Sequence, residues 1–187
     1  MKRARRDFLK IMTSCAFTVS LVPCCLSCGG QKPKSGAEGV SQKSRAEQAL
    51  SLTREYRSCC TGVLAAYAPE LGMDKDLAAR AGRGMAGGIG TLGNVCGAVS
   101  GAALVIGLKT TNENNIHDME AGYKTMETVK EFVARFEERH SSIKCRELIG
   151  HDISTREKNE AAMKNNAFAN CPKFIESAVT ILDDILM

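Results

Sequence analysis

The sequence predicts an all-α domain: a compact bundle of about four to five helices with a glycine-rich loop ahead of a buried central helix. Three observations carry this. From Ala46 onward, apolar residues recur every three or four positions, the period of one helix face. Helix punctuation, such as Asp74, Gly150 and Pro172, falls between those stretches. No segment alternates apolar and polar residues in the way a half-buried strand does.

Ala46, Leu50, Thr53, Tyr56, Cys60, Val63, Leu64 and Tyr67 mark the first helix, which Pro69 ends. Asp74 is a fair N-cap for a short helix through Met85. The glycine-rich loop follows, with Gly87, Gly88, Gly90 and Gly93. Cys96 to Lys109 is small and apolar but too short to span a bilayer, so it reads as a buried central helix. Gly97 and Gly101 lie four apart there and admit a close neighbour. Asn112 to Asn115 make a polar break. Met119, Tyr123, Met126, Val129, Val133, Phe136, His140 and Ile143 then mark a long amphipathic helix. A short segment, Cys145 to Ile149, stops at Gly150. Residues 151–166 are polar and read as a loop with room for one helical turn. The last helix starts at Cys171-Pro172, with Pro in a first-turn position that suits it.

Composition sets limits on function. In 187 residues, 25% are charged and 44% hydrophobic, which excludes wholesale disorder. There is no Trp and aromatics are 5%, which argues against a base-stacking platform. Five of the 25 basic groups and one of the 21 acidic groups fall in residues 1–28. The remainder holds 20 of each and is electrically neutral, so a phosphate-gripping basic domain is not the default and no nucleic-acid partner is expected.

Residues 1–28 read as an address. A basic start precedes an apolar stretch from Ile11 to Leu26. Arg5-Arg6 followed by Asp-Phe-Leu-Lys resembles a twin-arginine export signal, with Ala4 where Ser or Thr is usual. That route carries proteins that fold first, often around a cofactor, so the resemblance implies an exported, periplasmic or cell-envelope-associated protein. Cys28, after Leu26-Ser27 and before Gly29, resembles a lipidation site, although Cys25 stands where Leu is favoured. The membrane is then met only through this signal or anchor, and one lipid chain alone is a marginal tether. Residues 29–45 are small, polar and aperiodic, a flexible spacer, and the domain occupies 46–187.

Two motifs fail on context. Gly82-Arg-Gly84-Met-Ala-Gly87 matches a nucleotide-binding string, but that string must follow a strand, and here a helix precedes it. Cys25-Leu-Ser-Cys28 has the spacing of covalent haem attachment, but Gly29 stands where His is required.

The chain has nine cysteines, four of them in residues 1–28. In the domain, Cys59, Cys96, Cys145 and Cys171 fall one to each major helical segment. Cys96, Cys145 and Cys171 lie near expected helix starts, where free N–H groups favour thiolate and lower the pKa. Cys59 is expected mid-helix. Four thiolates meeting at one point would suit Zn²⁺ or an iron–sulfur cluster. Spacing alone leaves cluster, zinc and disulfides open, since four cysteines allow three pairings.

The run from Gly87 through Gly93-Asn-Val-Cys96-Gly97-Ala98-Val99-Ser100-Gly101 resembles the C_GCAxxG_C_C family of redox-active proteins. Flanking matches are Ser58-Cys59 before Val63-Leu64, Leu71-Gly72, Cys145-Arg-Glu-Leu-Ile-Gly150, and Cys171. The resemblance covers roughly residues 46–187. The same module resembles the cysteine-bearing part of split-Soret cytochromes, which implies an iron–sulfur centre without the haem. It carries Cys59, Cys96, Cys145 and Cys171 over as metal ligands, with Gly87, Gly88, Gly90, Gly93 and Gly97 around the site. Cys60 departs from the usual small residue and reads as a buried small hydrophobe.

The expected function is electron transfer by an exported protein whose four cysteines bind a cluster or other metal, with a redox protein or membrane electron-transfer complex as partner. The alternatives are thiol–disulfide chemistry, with pairs such as Cys59–Cys96 and Cys145–Cys171, and a structural zinc or disulfide role. His117, His140 and His151 read as solvated or capping residues, with no nucleophile beside them, so a stand-alone enzyme is not indicated.

Overall fold

The computed structural model describes residues 44–186. Arg5, Arg6, Cys28 and residues 29–43 of the spacer lie outside them. Among the described residues eight helices form: α1 Arg45–Tyr56, α2 Cys59–Tyr67, α3 Lys75–Arg83, α4 Gly97–Thr110, α5 Met119–His140, α6 Cys145–Ile149, α7 Arg156–Lys164 and α8 Cys171–Leu186. Among the described residues the sole β feature is an isolated antiparallel bridge, Val95 with Lys144. The all-α expectation holds, and the helix count exceeds it for two local reasons.

The expected first helix is really two. Arg57 takes a left-handed conformation, φ 51°, and closes α1. Ser58 then caps α2, its Oγ accepting from the Thr61 amide at 3.2 Å. The chain folds back so tightly that a Cβ on Gly62 would fall 1.9 Å from Thr53 Oγ1 and 2.7 Å from the Ala49 carbonyl. The second difference is α7, in the segment expected to be loop. Thr155 caps it, accepting from the Lys158 amide at 3.3 Å, and only Ala162 is fully buried. One buried residue in nine leaves too faint a period to read.

Two helices form the centre rather than one. Every residue of α2 from Cys60 to Tyr67 is buried, as are Ala98, Val99, Ala102, Val105 and Ile106 of α4. Their backbones nearly touch: a Cβ on Gly97 would sit 3.0 Å from Cys60 N, and one on Gly101 2.8 Å from Cys60 O. Gly97 and Gly101 thus serve the close approach expected of them. Phe132 and Phe136 of α5 and the Phe174, Ile175, Ala178, Ile181 stripe of α8 complete the core.

Helices α2, α4 and α8 all start at one end of the bundle, and α1 and α5 run back toward it. At the far end Arg45 pairs with Asp183 and Glu70, Lys109 shares Glu70 at 3.2 Å, and the buried Tyr67 hydroxyl donates to Asp183 at 2.8 Å. These ion pairs are partly exposed and contribute about 1 kcal/mol or less each. They pin the ends of α1, α2, α4 and α8 in register, which fixes where the opposite ends converge.

Candidate redox site

Each of the four cysteines starts a helix. Cys59 is the first residue of α2, Cys96 the N-cap of α4, Cys145 the first residue of α6 and Cys171 the first of α8. Cys59 is therefore not mid-helix as expected, because Arg57 and Ser58 break the chain just before it. All four line one cleft of about 370 Å³. Cys60 is not among the lining residues: it is fully buried, its backbone lies against Gly97 and Gly101, and burial pushes its thiol up to about 12.

The glycine loop shapes one wall. Gly84 closes α3, and Gly87, Gly88, Ile89, Gly90 and Thr91 all take positive φ, between 59° and 73°. Such a run suits glycine, whereas Ile89 and Thr91 are held there against their β-branching. The turn is closed by amides of Gly90, Gly93 and Asn94 donating to the carbonyls of Gly84, Gly87 and Gly88 at 2.9–3.0 Å. Of the expected site glycines, Gly87 and Gly97 line the cleft, while Gly88, Gly90 and Gly93 shape the turn. Gly82, Gly84 and Gly87 form a helix end and turn, with no nucleotide-binding geometry.

A second wall is a smaller apolar cluster of Cys145, Ile149, Ile153 and Ala162, with Phe168 and Cys171 against it. Arg57, Asn159, Met163 and Phe174 also line the cleft and were not singled out from the sequence. Among the described residues, Arg57 is its one charged lining residue. Asn159 and Met163, four apart on α7, face it together, and Asn159 Oδ1 is buried without a hydrogen-bond partner. A signal for α7 existed: Thr155 followed by Arg-Glu-Lys is a cap with an acid in the first turn.

Burial decides the thiol chemistry. It raises Cys96 and Cys145 to about 12. The amides of Ala98 and Val99 pull Cys96 the other way, but they stop short of a standard cap hydrogen bond and lose to desolvation. Cys59 is held well above the usual thiol value, first by its hydrogen bond with the Cys171 thiol and then by burial. The expectation of lowered pKa values at helix starts is thus overturned for Cys96 and Cys145. The Cys59–Cys171 contact also differs from the pairings considered above. Cys145 feels both Cys96 and Cys59. All five domain cysteines are free thiols. Among the described residues, no three His, Cys, Asp or Glu side chains are arranged to hold a metal ion.

The histidines stand apart from the cleft lining. His117 is exposed, and His151 Nδ1 meets the Ile149 carbonyl at 2.8 Å. His140 packs on Phe136 and Phe174, with ring centroids 4.6 and 5.0 Å away, and burial lowers its pKa.

An all-helical domain with four thiols round one largely apolar cleft defines a helical cysteine-site protein. The chain belongs to the family described as "Putative redox-active protein (C_GCAxxG_C_C)", whose model matches residues 57–185. No curated protein and no solved structure matches it.

Proposed function

We propose that Cys59, Cys96, Cys145 and Cys171 hold an iron–sulfur cluster in the cleft, and that the protein passes electrons as an exported component of the cell envelope. One observation carries this: four thiols scattered over the domain sequence line a single cleft of about 370 Å³. The donor set is the one such clusters take. A lone zinc ion needs four ligand atoms gathered within about 2.3 Å of it, whereas a cluster presents its ligands at separate iron corners. Such corners suit thiols placed around a cleft of about 370 Å³. When bound, the group supplies one-electron transfer. The chain supplies thiolates, a wall of Ile149, Ile153, Phe168 and Phe174 that excludes water, and Arg57 as a nearby cation. Because burial keeps Cys96 and Cys145 protonated, loading displaces their protons.

The influence of Cys171 on the Cys59 thiol, with both residues lining the cleft, favours a second reading, thiol–disulfide exchange at that pair. Reactive thiols have lowered pKa values, and Cys59 is raised, so this reading ranks second. In either reading the partner is a redox protein or membrane electron-transfer complex, and the chain is an electron-transfer or accessory protein rather than a stand-alone enzyme.

The test is anaerobic purification of the full chain, with an absorption spectrum and counts of iron, sulfide and zinc. Iron with matching sulfide, lost in Cys96→Ser, is expected. Metal-free protein with no free thiols would establish the second reading, and stoichiometric zinc a structural role.

A further inference from the structure

Four of the nine exposed large apolar side chains among the described residues fall within eleven positions of one another. Ile116, Met119, Tyr123 and Met126 are 65, 72, 56 and 56% exposed. Met119, Tyr123 and Met126 are spaced four and three apart, so they share one face of α5, and Ile116 precedes them in the adjoining turn. Their exposure has a geometric cause. The Thr110 hydroxyl, at the last residue of α4, meets the Thr125 hydroxyl at 2.8 Å. Residues 119–124 of α5 therefore overhang the end of α4, by about 9 Å at 1.5 Å per residue.

This overhang lies at the end of the bundle opposite the cysteines, and the chain enters the domain at that same end. Arg45, the first residue of α1, pairs with Glu70, and so does Lys109, next to the end of α4. The sequence ahead of it carries the basic start and the apolar run from Ile11 to Leu26. A single lipid chain, as at Cys28, is a marginal tether, and stable attachment through it needs a second contact. A contiguous exposed apolar stripe beside the point of entry supplies one.

We propose that Ile116, Met119, Tyr123 and Met126 dock on the lipid surface to which the N-terminal segment tethers the domain, so that the cysteine cleft faces away from the membrane. This rests on the envelope attachment in the function proposed above. Charge names the lipid class. Residues 108–127 hold Lys109 and Lys124 against Glu113, Asp118, Glu120 and Glu127, an acidic surround that gains nothing from anionic headgroups. The surface is zwitterionic.

The chain has no Trp, so Tyr123→Trp is a single emission reporter. The full chain carrying it is mixed with phosphatidylcholine vesicles. The expected result is a blue shift that brominated lipid quenches and that 30% anionic lipid does not enlarge. Adding Met119→Glu and Met126→Glu should abolish the shift while the chain still sediments with the vesicles. A second reporter, Leu92→Trp on the glycine loop, should not shift. The proposal is overturned by sedimentation without a Tyr123→Trp shift, which leaves the anchor standing, or by an equal shift at Leu92→Trp. A shift that grows with protein concentration in the absence of lipid overturns it in favour of self-association. Failure to sediment at all removes the attachment and the proposal together.

Discussion

Val95 pairs with Lys144 in an antiparallel bridge, and each is followed directly by a cysteine of the cleft. The Cys96 amide donates to the Ile143 carbonyl at 2.7 Å, and the Cys145 amide to the Asn94 carbonyl at 2.6 Å. Next along, the Arg146 amide donates to Gly93 at 3.0 Å, and its guanidinium to Leu92. Backbone bonds therefore set the separation of two thiols that lie far apart in sequence, and the left-handed turn aims one side of the bridge.

That turn makes opposite predictions for neighbouring residues. A Cβ on Gly88, at φ 73°, would fall 2.6 and 2.7 Å from the backbone N and O of Asn94. Gly88→Ala should cost about 1–3 kcal/mol and lower the iron retained on anaerobic reconstitution. Ile89, at φ 62° and 43% exposed, is strained but buries little. Ile89→Asn, which tolerates that conformation, should stabilise by up to about 1 kcal/mol. Urea melts of both variants decide; a neutral Gly88→Ala would mean the turn does not frame Cys96.

The α2–α4 contact gives a matched pair of alanines. A Cβ on Gly101 would lie 2.8 Å from the Cys60 carbonyl and 3.0 Å from Val63 Cβ, while one on Gly107 would meet nothing within 4 Å. Gly101→Ala should destabilise by about 1–3 kcal/mol and disturb Cys59, the residue before Cys60. Gly107→Ala in the same helix should stabilise by roughly 0.5–1 kcal/mol. Thermal melts that show equal effects would refute the close approach.

Stability of the metal-free protein should fall at alkaline pH. Cys60, Cys96 and Cys145 titrate near 12 in the fold, against 9.0 ordinarily. Below pH 9.0 both folded and unfolded chains keep these protons, and the stabilisation is fully present. Between 9.0 and about 12 the unfolded chain loses protons that the fold retains, so stability declines. His140 acts on the acid side: its pKa is lowered, so the unfolded chain takes up a proton first as pH falls through 6.5. Urea midpoints from pH 5 to 11 should peak between these limits, and Cys96→Ala should flatten the alkaline limb.

Arg57 should tune the proposed centre. Among the described residues it is the cleft's one charged lining residue, and a cation stabilises the more negative, reduced state. Arg57→Ala should lower the midpoint potential by at most about 40 mV, because an exposed charge contributes about 1 kcal/mol or less. Redox titration followed by absorption measures it. An upward shift would place the guanidinium's influence elsewhere.

Much of this was legible in the chain because it is local. Helical period located α5 and α8, an all-round small and apolar run located α4, Asp74 started α3, and Gly150 stopped α6. The four cysteines and the Cys96-Gly97-Ala98 signature were visible as residues. The break at Arg57-Ser58 was not, because the apolar period runs through it unbroken from Ala46 to Tyr67. The α7 side of the cleft was hidden for the opposite reason: a helix that buries only Ala162 shows almost no period.

The sequence by itself determined an all-helical chain of the redox-active family and the identity of its four dispersed thiols. Only the tertiary structure decided that those thiols share one cleft, that Cys59 meets Cys171, and that Cys96 and Cys145 stay protonated. The reason is physical. Helix period and capping depend on neighbours a few residues away, whereas desolvation depends on whatever side chains pack there from anywhere in the chain. At Cys96 the local helix N-terminus favours the thiolate, and the apolar wall brought from the far end of the sequence outweighs it.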